Sequence, residues 1–190
     1  MPNYDDIFDW YSSARSNHIG AKEINDFLTM LAPGSTILDL GCGNGIPITS
    51  ILIENGFKVF AIDSSVRMVD QFRINFSQVP VRCEQMQNSD FFNEQFDAVI
   101  SYGVIFHLTT TDQEKVIDKV AGSLKPGGHF LFSSQKDAIE GNSTMNGFSF
   151  PYISLGYTGY EALLRRNDMR LLQAFFDEGD NYVYVSQKIS

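Results

Sequence analysis

The chain has 190 residues, 43% of them hydrophobic and 19% charged, which suits one globular domain with ample core. A net charge of −9 at pH 7 repels polyanions and argues against DNA or RNA as a partner. No apolar run approaches the ~18 residues of a membrane span, no basic leader opens the chain, and Cys42 and Cys83 fall in different elements, so the expectation is a cytoplasmic protein without membrane, disulfide or metal.

Residues 1–35 read as an N-terminal helical cap, with one or two helices over 4–31 and Ile7, Phe8, Trp10 and Tyr11 close together. Apolar runs place strands at about 36–40, 58–63, 80–84, 96–101 and 129–134, alternating with helices over 47–55, 65–76 and 112–124. Thr111-Asp112-Gln113-Glu114 reads as a capping box at the start of the third of these helices. Residues 135–158 read as a loop that can close over an apolar pocket, with Phe148, Phe150, Tyr152 and Tyr157 set among Gly, Ser and Asn. A short helix over 159–167 follows, then strands at 169–176 and 181–187 joined by a turn at Asp177-Glu178-Gly179-Asp180. This order predicts a single α/β domain: a doubly wound, mostly parallel seven-stranded sheet with an antiparallel C-terminal hairpin strand.

The richest stretch is Ile37-Leu38-Asp39-Leu40-Gly41-Cys42-Gly43-Asn44-Gly45-Ile46-Pro47. A buried strand breaks into three glycines spaced two apart, and Pro47 then opens a helical pattern carrying Ile48, Ile51 and Leu52. Strand, glycine turn and helix start together let backbone approach a ligand closely and offer it N–H groups. Asp63 closes the second strand, where an acid accepts hydrogen bonds from a ribose diol. Ligands of such sheets bind at the carboxyl ends of the strands. That rule selects Asp39, Gly41, Cys42, Gly43 and Gly45 after the first strand, and Asp63 and Ser64 after the second. It adds Gln85 and Met86 after the third, then Ser101, Tyr102 and Gly103 after the fourth. Each has a plain structural reading beside this one: the glycines turn the chain, Asp63 caps a helix, Met86 fills core, and Ser101 satisfies backbone.

A nicotinamide turn usually reads G-x-G-x-x-G/A, but Ile46 fills the sixth position here. The D-x-G-x-G-x-G form instead resembles motif I of the class I S-adenosylmethionine-dependent methyltransferases. Asp63-Ser64-Ser65-Val66-Arg67-Met68 resembles that family's D-x-S-x-x-M run, and Phe96-Asp97-Ala98-Val99 its F-D-x-V strand. Phe106-His107-Leu108 holds the family's H-L pair, and Leu124-Lys125-Pro126-Gly127-Gly128 its L-K-P-G-G turn. The ordered set covers roughly residues 36 to 134. The resemblance implies a Rossmann-like fold and S-adenosylmethionine as cofactor, leaving as S-adenosylhomocysteine. Where many members carry an Asp for the adenine amino group, this chain has Gln85 and then Met86, or Glu84 if the register is one residue out.

Methyl transfer to a small-molecule acceptor is the activity this implies. A base is needed only where the acceptor must lose a proton. His107 and Tyr102 are the catalytic candidates; His129 and His18 have no assigned role. A nicotinamide-dependent oxidoreductase and a non-catalytic cofactor-binding protein are the competing classes.

Overall fold

The computed structural model describes residues 4–14 and 18–189. Part of the expected N-terminal helical stretch, residues 15–17, lies outside them. A short helix, α1 (Phe8–Ala14), buries nothing in the core, while α2 (Ala21–Leu28) buries Ile24, Phe27 and Leu28 on one stripe. Then come β1 (Thr36–Leu40), α3 (Ile48–Glu54), β2 (Lys58–Asp63), α4 (Val66–Asn75), β3 (Val81–Cys83) and β4 (Phe96–Ser101). The second half holds α5 (Thr110–Ser123), β5 (Leu124–Ser134), β6 (Ala138–Met145), β7 (Phe148–Leu155), α6 (Gly156–Arg166), β8 (Met169–Phe176) and β9 (Tyr182–Lys188).

The main sheet has seven strands in the order β3-β2-β1-β4-β5-β9-β8. Pairing is parallel from β3 to β5, and β9 runs antiparallel to both β5 and β8. This is the doubly wound arrangement with one antiparallel strand that the sequence predicts. Strand order reverses between β1 and β4, so a crevice opens at their carboxyl ends. Alternation along the strands feeds two cores. Leu38, Val99 and Phe130 meet Val116, Ile117 and Val120 of α5 and Leu163 and Leu164 of α6 on one face. Ile37, Ile100 and Leu131 meet Ile24 and Phe27 of α2 and Leu52 of α3 on the other. Among the described residues no helix is long and apolar enough to cross a membrane.

Two elements differ from expectation. The stretch expected as a loop is a hairpin: β6 and β7 pair antiparallel in a small sheet of their own, from Ala138↔Leu155 to Met145↔Phe148. Its tip, Asn146-Gly147, has positive φ at both residues (47° and 80°), the backbone that a two-residue hairpin turn demands. The exposed residues of β6 hide it from a search for alternating apolar positions. The cap of α5 is Thr109 rather than Thr111: its Oγ1 accepts from the Asp112 N–H and donates to the Asp112 carboxylate. With three threonines in a row, the first takes the cap and the helix starts two residues sooner.

The phenylalanine-aspartate pair that opens β4 sits at the far end of the sheet from the crevice. Asp97 accepts from the Thr36 N–H at 2.8 Å and from Lys125 Nζ at 2.8 Å, tying β1 to the glycine turn inside β5. That signature serves the framework.

Candidate functional site

The three glycines of the turn after β1 all have positive φ, 76° at Gly41, 56° at Gly43 and 86° at Gly45, so each side-chain-bearing replacement is strained. Their surroundings differ. A Cβ at Gly41 would stand 2.4 Å from Val104, and one at Gly45 2.3 Å from the Phe76 ring. A Cβ at Gly43 would meet only Met68 Sδ, at 3.9 Å. Gly41 and Gly45 are small because protein packs on them, and Gly43 faces open space.

Asp63 reaches back to this turn. One carboxylate oxygen accepts from the Gly43 N–H at 2.8 Å and the other from the Ser65 N–H at 2.8 Å. Burial raises its pKa, against the pull of the Ser65 and Gly43 amides. Each oxygen retains acceptor capacity beyond one such bond. Asp39 lies beneath the turn, 1% exposed, and accepts from Thr49 Oγ1 at 2.6 Å, fastening β1 to α3. It shapes the turn from below and presents no surface to a ligand. The Cys42 thiol, enclosed in the same turn, is held well above its ordinary pKa by burial and then by Asp39 and Asp63. Ser64 is exposed at the end of β2.

Across the crevice, the Ser101 hydroxyl at the end of β4 is fully buried and, among the described residues, has no hydrogen-bond partner. An unpaired buried hydroxyl is an exception that an ordered water, or a ligand reached by a small local shift, would satisfy. The β3 side fits the prediction less well. Gln85 is exposed, with its side-chain oxygen accepting from Asn88 Nδ2 at 3.0 Å, and the Met86 side chain belongs to the core. Glu84 accepts from Ser89 Oγ at 2.7 Å. The Met86 side chain is thus turned into the core, and the Gln85 side chain is held by its neighbour Asn88.

Beyond Ser101 lies a cavity of about 640 Å³ whose wall includes Gly103, His107, Phe106, Tyr4, Trp10 and Tyr11. His107 Nδ1 is 2.9 Å from the Pro151 carbonyl, which only accepts, so Nδ1 carries the proton. Nε2 then accepts from the Tyr4 hydroxyl at 3.1 Å. Burial lowers the His107 pKa below its ordinary value, partly offset by the Pro151 bond. Phe150 from the hairpin packs on both rings, with centroids 5.5 Å from Tyr4 and 6.2 Å from His107. Tyr102 is 2% exposed, packs under Gly20 and donates its hydroxyl to Asp177 in the β8–β9 turn. Burial, and next the Asp177 carboxylate, push its pKa up strongly. The hydroxyl ties β4 to that turn, which removes Tyr102 from the proton-transfer candidates.

Sequence reasoning missed Tyr4 and Glu23, which also lines the cavity. Glu23 shares the buried stripe of α2 with Phe27, four residues on, so an acid on an apolar helical face was the available signal. Nothing local marks Tyr4. It reaches His107 because the N-terminal segment crosses the carboxyl ends of the strands. Asp5 accepts from Ser65 Oγ at 2.5 Å and the Arg67 N–H at 2.9 Å, Asp9 pairs with Arg67 at 2.7 Å, and the Arg67 guanidinium lies 4.4 Å from the Phe8 ring centroid.

Comparison with known proteins matches residues 37–128 to a family model described as a methyltransferase domain. The chain is 30% identical over 160 residues to a demethylmenaquinone methyltransferase of Corynebacterium urealyticum, covering 84% of this chain and 61% of that protein. It is 26% identical over 149 residues to a tRNA U34 carboxymethyltransferase of Campylobacter curvus, covering 75% of this chain and 47% of that protein. The chain thus spans less than two thirds of either relative. Among solved structures, the S-adenosylmethionine-bound amino pentose methyltransferase CalS10 of Micromonospora echinaspora superposes with a TM-score of 0.75 at 14% identity, covering 99% of this chain and 98% of that one. Motif order, sheet topology and matched family model agree: the chain has the Rossmann-like fold of the class I S-adenosylmethionine-dependent methyltransferases and is similar to them in sequence over residues 37–128.

Proposed function

We propose that this chain transfers the methyl group of S-adenosylmethionine to a small molecule seated in the cavity beyond β4. The observation that carries this reading is the crevice at the strand-order reversal. Gly43 leaves space there, the Ser101 hydroxyl lacks a partner, and Gly103, two residues on, already lines the aromatic cavity. On this reading Asp63 accepts from the ribose hydroxyls, and the turn of Gly41, Cys42, Gly43 and Gly45 lies against the methionine part. Ser64 and Ser101 flank it, and the Gln85–Met86 backbone borders the adenine. When bound, the cofactor supplies a methyl group on a sulfonium, already a strong electrophile. The chain's own work is to position the acceptor and exclude water. The N-terminal segment and the β6–β7 hairpin enclose the acceptor, and His107, which lines the cavity beside its hydrogen-bond partner Tyr4, receives a proton where one must leave. The free thiols of Cys42 and Cys83 suit a cytoplasmic setting.

A tRNA acceptor is the second reading, favoured by the Campylobacter curvus relative's name. The net charge of −9 weighs against it. Calorimetry with S-adenosylhomocysteine tests the cofactor site. Labelled methyl from the cofactor, offered to a metabolite extract and to bulk tRNA in parallel, tests the acceptor. Label in the metabolite fraction supports the proposal, label in tRNA replaces it with the second reading, and label in neither with cofactor bound overturns the catalytic reading.

A further inference from the structure

We infer that the acceptor carries a basic nitrogen, recognised by Glu23. This rests on the small-molecule reading above and narrows it to amines. Glu23 stands in the first turn of α2, is 6% exposed, and lines the cavity. Among the described residues it accepts no hydrogen bond and forms no ion pair. Its carboxylate is open to the cavity rather than committed to protein donors, so a donor that arrives with a ligand finds it available.

The other charges of the cavity leave that role to Glu23. The Asp177 carboxylate is already used: it accepts from the Tyr102 hydroxyl, the Gly179 and Asn181 N–H groups and Asn181 Nδ2. Lys22 is drawn aside to Asp26, with Nζ 3.1 Å from its carboxylate. Glu178 adds a further negative charge at the exposed rim. Tyr4, Trp10, Tyr11 and Phe106 offer ring faces, which attract cations. An ammonium would supply the missing donors, and an acidic acceptor would be repelled. In the transfer, the substrate ammonium first gives a proton to Nε2 of His107, the base proposed above. The amine lone pair then forms the N–C bond as the C–S bond breaks and its electron pair goes to sulfur. Positive charge thus passes to nitrogen, and Glu23 faces a cation in both substrate and product.

The test titrates 2-phenylethylamine, 2-phenylethanol and 3-phenylpropionate into the protein by calorimetry, with and without S-adenosylhomocysteine. The amine is expected to bind about ten- to a hundredfold more tightly than the alcohol, the range for a buried hydrogen bond to a charged group, and the carboxylate more weakly still. Glu23→Gln should bring the amine-to-alcohol ratio near one. Glu94→Gln, at an exposed position away from the cavity that does not put folding at risk, should keep it. Equal binding of alcohol and amine by the wild-type protein overturns the inference. So does a ratio that survives Glu23→Gln or disappears in Glu94→Gln. Failure of S-adenosylhomocysteine to bind overturns the cofactor reading instead, while cofactor binding without amine preference overturns only this inference.

Discussion

Gly43 and Gly45 stand two residues apart in one turn, yet substitution should act on different properties. Gly45→Ala places a methyl group 2.3 Å from the Phe76 ring. It should cost about 1–3 kcal/mol of stability, the range for overpacking, read as a lower melting temperature. Gly43→Ala meets no such wall and should cost only about 1 kcal/mol from its positive φ while weakening S-adenosylhomocysteine about tenfold or more by calorimetry. Asp63→Ala should weaken the same ligand by about 1.5–3 kcal/mol, and the Gly43 and Ser65 amides would lose their acceptor. For His107 the folded pKa lies below the unfolded value, because burial disfavours the cation. Its contribution to stability is present above the unfolded value and is lost as pH falls through the lowered one. An acid limb in kcat/KM should accordingly lie below the ordinary histidine range. Tyr4→Phe, which removes the hydrogen bond to the Nε2 lone pair, should move that limb to higher pH. At this scale the sequence is legible where chemistry follows local spacing: the glycine turn, Asp63 and His107 are found by counting along the chain. Glu23 and Tyr4 gain meaning only from what folding places opposite them, and Asp39 and Tyr102 lose theirs for the same reason.

Parallel strands buried on both faces announce themselves as short apolar runs, which is why the five strands of the doubly wound core are visible in advance. The β6–β7 hairpin has one partner and much solvent, so its pattern is weak, though Asn146-Gly147 is a strong turn signal in retrospect. Besides Phe150 and the His107–Pro151 bond, a buried glutamine anchors it. Gln113 Nε2 donates to the Leu108 and Ile153 carbonyls, at 3.0 and 2.8 Å, and its oxygen accepts from the Tyr160 hydroxyl at 2.7 Å. Gln113→Leu should cost about 1–3 kcal/mol, since buried partners are left unsatisfied, and should raise hydrogen exchange across residues 138–155. S-adenosylhomocysteine affinity should change little, because Gln113 lies apart from the crevice. Unchanged exchange in the hairpin would show that Gln113 does not anchor it.

The charge of the whole molecule makes its own prediction: with −9 at pH 7, filter binding should retain little tRNA at 150 mM salt, in the ~0.1 M range where added salt already weakens phosphate contacts. The N-terminal segment joins the two halves of the site. Asp5 grips the start of α4, two residues past Asp63, while Tyr4 and Tyr11 form part of the acceptor wall. The strap is fastened beside Asp63 and completes the aromatic cavity from there, so the second berth is whole only once the first is filled. Turnover should follow a compulsory sequence, with the nucleoside boarding first and departing last. In steady-state kinetics, S-adenosylhomocysteine should compete with S-adenosylmethionine alone, and the methylated product should compete with neither substrate.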